Sequence, residues 1–161
     1  IRVGNQKGLA DFISLRRIAF SIFLLVILIE IVFAFMFFTL RDWLPTLYLD
    51  TENVAKLAEN QEVILIASEL LIIVALFQIF DGLQVVILGA LRGMQDVKIP
   101  TIMTFIAYWL IGFPICYYLG LYTPLKSTGI WIGLLFGLAS ASVMLYLRFN
   151  YLTKKLIHND N

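Results

Sequence analysis

The 161-residue chain is 61% hydrophobic and only 14% charged, with a mean hydropathy of +0.91 and a net charge of +1. Soluble domains are nearer ~45–50% apolar and ~25% charged, so this composition reads as membrane-embedded. Few basic residues, scattered between apolar runs, exclude a nucleic-acid partner; the single cysteine, Cys116, cannot close an internal disulfide, and the single histidine, His158 in the C-terminal tail, cannot build a histidine-based metal site.

Residues 1–17 carry Arg2, Lys7, Arg16 and Arg17 against Asp11 alone. No apolar run stands before them, so they are not a signal peptide, and a start at Ile1 reads as a piece of a longer protein. Residues 18–40 form the first long apolar run, with Glu30 as its one charge. About 20 apolar residues cross a hydrocarbon core of about 30 Å, so this run predicts a transmembrane helix. A second run covers 63–90 and is interrupted by Glu69 and Asp81; a third covers 101–120 and contains Gly112 and Pro114; a fourth covers 129–147 without a charge. Spanning strands need only about 9–11 residues and alternate in polarity. These runs are longer and more uniform, so the expected fold is an all-α polytopic membrane protein with four transmembrane helices.

The loops set the expected orientation. Arg2, Lys7, Arg16, Arg17, Arg92, Lys98, Arg148, Lys154 and Lys155 fall on one side of such a topology, and Arg41, Lys56 and Lys126 on the other. The positive-inside rule then places both chain ends and the 91–98 loop in the cytoplasm. The opposite loop, 41–62, holds Asp42, Asp50, Glu52, Glu59 and Glu62.

Within the spans, small residues mark packing faces. Gly129, Gly133, Gly137 and Ala141 recur every four residues, a ridge that lets a neighbouring helix approach closely in lipid. Ala75, Gly82, Gly89 and Gly93 fall near one face of the second span, which makes the three glycines packing candidates. Pro114 removes a backbone donor and clashes with the preceding turn, so the third span should kink there, statically or as a bending point.

A carboxylate inside an apolar span is expensive, about 2.5–3.5 kcal/mol at a helix centre on insertion scales, and is a functional-site hypothesis. Asp81 is that residue. It can be a proton or cation site, the partner of a buried base, or a group kept neutral; no Lys, Arg or His lies inside any predicted span to pair with it. About 100° of helix separates it from Gly82, so it borders a packing face. Gln78 and Gln84 flank it by one turn, and Phe77 lies one residue further; these are candidate lining for a small polar cavity. Glu30 shares the logic more weakly. Tyr108 and Trp109 lie inside the third span, where they are either core or a stacking surface for a flat cation. No nucleophile–base pair or metal cluster is visible, which argues against an enzyme.

At these residues the chain resembles the multidrug and toxic compound extrusion (MATE) family, in its NorM-like branch. Phe80-Asp81-Gly82-Leu83-Gln84 and Gly89-x-Leu91-Arg92-Gly93-x-x-Asp96-x-Lys98-x-Pro100 resemble the family's tenth helix and the following loop. Tyr108-Trp109 through Gly112-x-Pro114 resembles the eleventh helix, Gly129-Ile130-Trp131-Ile132-Gly133 the start of the twelfth, and Ile1-Arg2-Val3-Gly4-Asn5 the end of the eighth. The resemblance implies a twelve-helix transporter of two six-helix bundles, with residues 1–161 belonging to the C-terminal bundle. It implies export of hydrophobic organic cations from the bacterial inner membrane by antiport with Na+ or H+ through alternating access. No cofactor is implied beyond that coupling ion, and no metal beyond a possible Na+ at Asp81. Asp81 matches the family's membrane carboxylate on the tenth helix; its partner carboxylate lies on the seventh, among N-terminal helices this chain does not contain. Phe77 stands where some members carry tyrosine, and Gln6-Lys7-Gly8-Leu9 lacks the small-residue pattern common after the eighth helix. On its own such a piece should be inactive. Alternatives are a lipid-linked precursor flippase of the same superfamily, which should show cationic residues in its central cavity, and a small non-transporting membrane subunit.

Overall fold

The computed structural model describes residues 1–48 and 57–160, with side chains described at 1–48 and 60–159. Asp50, Glu52, Lys56 and the Glu59 side chain of the predicted outer loop therefore lie outside the described residues. The described chain is helical, without strands. A short helix α1 (Arg2–Gly8) turns through Ala10, at φ 56°, into α2 (Phe12–Leu40). A 3₁₀ turn at Leu44–Leu47 follows, then α3 (Leu57–Gly93). The third span is α4 (Lys98–Ile106), a π-helical segment (Ala107–Gly112) and α5 (Phe113–Tyr122); α6 (Lys126–Asp160) completes the chain. Four helical stretches are long and apolar enough to cross a membrane: Phe12–Leu40, Asn60–Gly93, Lys98–Tyr122 and Lys126–Asn159. The chain is a multi-pass membrane protein.

The helices outrun the predicted spans of 18–40, 63–90, 101–120 and 129–147, because hydropathy marks the hydrocarbon layer whereas a helix continues until something caps it. α2 begins six residues before the predicted start. There the Asp11 carboxylate accepts from the Ser14 backbone N–H at 2.9 Å, an N-cap. Arg16 and Arg17 thus belong to the helix, and Arg16 Nη2 donates to Asn150 Oδ1 at 2.6 Å. α6 runs past 147 for the same reason: Lys154 and Lys155 continue it beyond its apolar part.

The core sits at one end of the bundle. Val3, Leu15, Ala19, Phe23, Ile87, Leu91, Leu145 and Phe149 are buried together, joining α1, α2, α3 and α6. Phe23 meets Phe149 edge to face with ring centroids 5.2 Å apart, and Phe20 meets the same ring at 6.2 Å, a preferred aromatic arrangement. At this end Gly93 lies on α1 so closely that an added Cβ would stand 3.3 Å from the Gly4 amide nitrogen. The turn after α3 is clasped from both sides. Lys7 Nζ donates to the Met94 carbonyl, and Arg148 Nε to Asp96 Oδ2 at 2.8 Å. Gln95, at φ 62°, lets the chain reverse within this turn, and Pro100 is buried in the first turn of α4. The cationic residues predicted to share one side therefore gather at one end, around α1, the 94–97 turn and the end of α6.

Candidate functional site

Asp81 lies on α3 twelve residues before Gly93, about 18 Å along the helix. Half a hydrocarbon core is about 15 Å, so Asp81 stands near mid-depth. Its neighbour Gly82 is in the seam with α2, while the Asp81 side chain points out of the described packing and is exposed. Glu30 is half-buried and turned toward the same stretch of α3. A Cβ built on Gly82 would fall 2.5 Å from Glu30 Oε1 and 3.1 Å from its Cγ and Cδ. Gln78 Nε2 donates to the Glu30 backbone carbonyl at 3.3 Å. The structure thus seats the carboxylate of Glu30 against the backbone of the residue after Asp81, in a niche that only glycine leaves open. Glu30 has no polar neighbour on its own helical face, where Val26, Ile27, Phe33 and Ala34 stand; its neighbours come from the facing helix.

Gln84 turns the other way. It is buried, and its Oε1 accepts from the Tyr108 hydroxyl at 2.9 Å, tying α3 to the π-helical segment. Six residues of helix rotate Gln84 by about 240° from Gln78. The expectation of one polar cavity lined by both glutamines gives way to two separate interhelical hydrogen bonds. Phe77 packs edge to face on Trp131 of α6, with centroids 5.9 Å apart. Tyr108 and Trp109 also part company. Tyr108 faces inward, its Cδ1 3.3 Å from where a Cβ on Gly137 would lie. Trp109 is exposed, stacked on Phe105 at 6.0 Å and tilted against Phe113 at 5.7 Å. The two rings therefore do not form one stacking surface.

Ser142 is a buried residue that composition and spacing did not single out. Its Oγ lies 2.9 Å from the Phe80 carbonyl oxygen on α3 and 2.9 Å from that of Leu138 on its own helix. A serine in an apolar span ordinarily bonds back to its own helix; only the fold shows that the peptide next to Asp81 competes for the same hydroxyl. Phe80 and Ser142, with Phe20, Phe23 and Tyr146, also line an apolar groove of about 380 Å³ between α2, α3 and α6.

The glycines divide by what they meet. Gly129, Gly133 and Gly137 seat α6 on the third span: an added Cβ would lie 2.5 Å from the Leu119 carbonyl oxygen, 2.4 Å from the Cys116 amide nitrogen and 3.0 Å from Gly112 Cα, respectively. Gly82 and Gly93 also have close neighbours. Gly89, expected to pack, meets nothing within 4 Å. At its level α2 and α1 leave a groove lined by Arg2, Ile22, Val85 and Val86, so no helix backbone reaches it. Pro114 is the second residue after the π-helical segment. Widened i to i+5 hydrogen bonding is one way a helix accommodates a residue that cannot donate, and such segments are common at functional bends. Among the described residues, no group of three or more His, Cys, Asp or Glu side chains gathers as for a metal ion.

The MatE family model matches residues 1–118. This chain belongs to the MatE family. A multidrug resistance protein NorM of Vibrio vulnificus (strain YJ016) is 39% identical over 160 residues, which cover 96% of this chain and 33% of that protein. Proteins named probable multidrug resistance protein NorM from Rhodopseudomonas palustris and Agrobacterium fabrum are 37% and 34% identical, each covering 96% of this chain. The MatE chain spans about a third of the length of these relatives, 31% and 32% in the last two. Its matched region includes α2, α3 and the π-helical segment, and so takes in Glu30, Asp81, Gln84 and Tyr108.

Proposed function

We infer that this chain is part of a secondary active exporter of hydrophobic organic cations, and that Asp81 carries the coupling ion. The observation that carries the reading is Asp81 itself: a carboxylate near mid-depth of a span, pointing out of the described packing, in a chain of the MatE family with NorM relatives named for multidrug resistance. A carboxylate at that depth is stabilised by a bound proton or by Na+, and its ionic form alone is costly there. The ion enters from outside and occupies Asp81. Occupancy favours one packing of the helices over another, with the π-helical segment before Pro114 as the bending point, and the drug leaves as the packing changes. The ion shifts that balance only by its different affinity for the two packings. Glu30, seated at Gly82, is the group next to Asp81 that can pass the change from α3 to α2. The protein resides in the bacterial cytoplasmic membrane with the cationic end of the bundle inside, and residues 1–161 alone do not transport, because the relatives are about three times as long. No enzymatic step is part of the reading.

In the full-length protein reconstituted in vesicles, Asp81→Asn should abolish gradient-driven efflux of a fluorescent organic cation while the protein stays folded. Unchanged efflux in that variant would overturn the assignment. A flippase of lipid-linked precursors would instead need cations at mid-depth, whereas the described mid-span charges are Glu30 and Asp81.

A further inference from the structure

A pocket of about 300 Å³ opens at the cationic end of the bundle, away from Asp81. Its walls are apolar, from Met94 after α3 and from Leu152 and Leu156 of α6; its rim is basic, from Lys7, Arg148 and Lys155. Arg148, Leu152 and Lys155 stand at i, i+4 and i+7, on one face of α6. The charges do not cancel. Asp96 is the one carboxylate in the lining, and Arg148 neutralises it at 2.8 Å. Lys7 reaches only neutral acceptors, the Met94 carbonyl and Gln95 Oε1, the latter at 3.3 Å. Lys155 makes no ion pair or hydrogen bond among the described residues and is exposed. Two uncompensated ammonium groups therefore rim an apolar-walled pocket.

Its depth is informative. Arg148 is the first charge after the apolar run 129–147, so the pocket begins where α6 leaves the hydrocarbon layer. Lys155 stands about 10 Å further along the helix. A headgroup layer is about 5–8 Å thick, within reach of a lysine that bends its stem back along Leu152. A free phosphate ion would satisfy the ammonium groups and gain nothing from Met94, Leu152 and Leu156. A phosphodiester attached to a glycerol and acyl chains would use both.

The geometry points to a binding site for the headgroup of an anionic phospholipid, held by Lys7 and Lys155 with its glycerol end against Leu152. Basic pockets between membrane helices recognise such headgroups. The site requires only that the protein is in a membrane, so failure of the Asp81 experiment leaves it standing, and its own failure leaves that reading standing.

The test is lipid retention by the purified full-length protein, measured by native mass spectrometry after mixing with phosphatidylglycerol or phosphatidylcholine at equal concentration. Phosphatidylglycerol should be retained preferentially. Each lysine removed should cost about fivefold in that preference, in Lys155→Gln and further in Lys7→Gln/Lys155→Gln. Lys7 also holds the 94–97 turn, so Lys155→Gln alone carries the test if the double variant misfolds. Equal retention of the two lipids, or an unchanged preference in Lys155→Gln, would overturn the site. Displacement of the lipid by inorganic phosphate at the same concentration would also overturn it, in favour of a free-anion pocket.

Discussion

The two helix pairs of this chain are joined by different means. α6 lies on the third span through glycines, so that backbone meets backbone: Gly133 over the Cys116 peptide, Gly137 against Gly112, Gly129 over the Leu119 carbonyl. α2 lies on α3 through side chains: Glu30 in the Gly82 niche, the Gln78 amide on the Glu30 carbonyl, and Ser68 Oγ on the Arg41 carbonyl at 3.1 Å. In lipid there is no hydrophobic force between helices, so close backbone packing and interhelical hydrogen bonds must hold them. The first kind of seam has one arrangement, because backbone cannot yield locally. The second can slide or repack as side chains change rotamer. Glu30 sits in the second kind, and Asp81 stands exposed beside it.

A single methyl group should separate the two seams most sharply. Gly133→Ala places a Cβ 2.4 Å from a backbone nitrogen and 2.6 Å from the Cys116 Cα, so α6 must move off the third span. Overpacking of this sort costs about 1–3 kcal/mol and occasionally more. Denaturant or thermal unfolding in detergent should show that loss. A Gly133→Ala protein as stable as the parent would mean that the glycine seam is not close-packed.

That seam was the part of the fold most readable beforehand, for a physical reason. A repeat of small residues every four positions fixes a face, and on that face residue size alone decides how near a neighbour comes. The four spans were legible on similar grounds, since hydropathy reports the hydrocarbon layer directly. Helix ends were not, because Asp11 caps α2 outside the apolar run. The candidate site was half legible. Asp81 stands out by its charge, but the seat of Glu30 on Gly82, the Tyr108–Gln84 bond and the Arg148–Asp96 pair each depend on which helices face one another. Gly89 shows the converse: it shares a face with Gly82 and Gly93, yet no helix arrives at its level.

Between the seams runs the Tyr108–Gln84 hydrogen bond, which links the glycine-built pair to α3. Tyr108→Phe removes its donor and leaves the buried Gln84 oxygen without this partner. Interhelical hydrogen bonds in membranes average about 0.6 kcal/mol, so a loss near that size should appear in the same unfolding assay, below the Gly133→Ala effect. A loss of several kcal/mol would make this bond, and not the glycines, the main tie of the third span.

Gly82→Ala sharpens the contrast further. Its Cβ would meet the far end of the flexible Glu30 side chain, which can swing aside. Alanine also gains up to about 1 kcal/mol of helix propensity over glycine. Stability should therefore hardly change, although the Glu30 carboxylate is displaced. An unfolding penalty equal to that of Gly133→Ala would show that the α2–α3 seam is as rigid as the other.

The smallest effect lies where α2 begins. Asp11 is outside the membrane, and the Ser14 backbone N–H holds its carboxyl below the ordinary value of 3.8. A depressed carboxylate stabilises the folded state above the unfolded value, and that contribution is lost as pH falls through the folded value. The first turn of α2 should therefore keep its protection at neutral pH and lose it only below about pH 4. Amide exchange at Ser14, compared in the parent and in Asp11→Ala, reads this locally: the parent should show a pH-dependent opening and the variant a pH-independent one. The α6 end beside it is held through Arg16 on the neutral side-chain amide of Asn150. If the whole α1–α2–α6 end loosened together at low pH, Asp11 would be supporting the core at that end and not only its own helix turn.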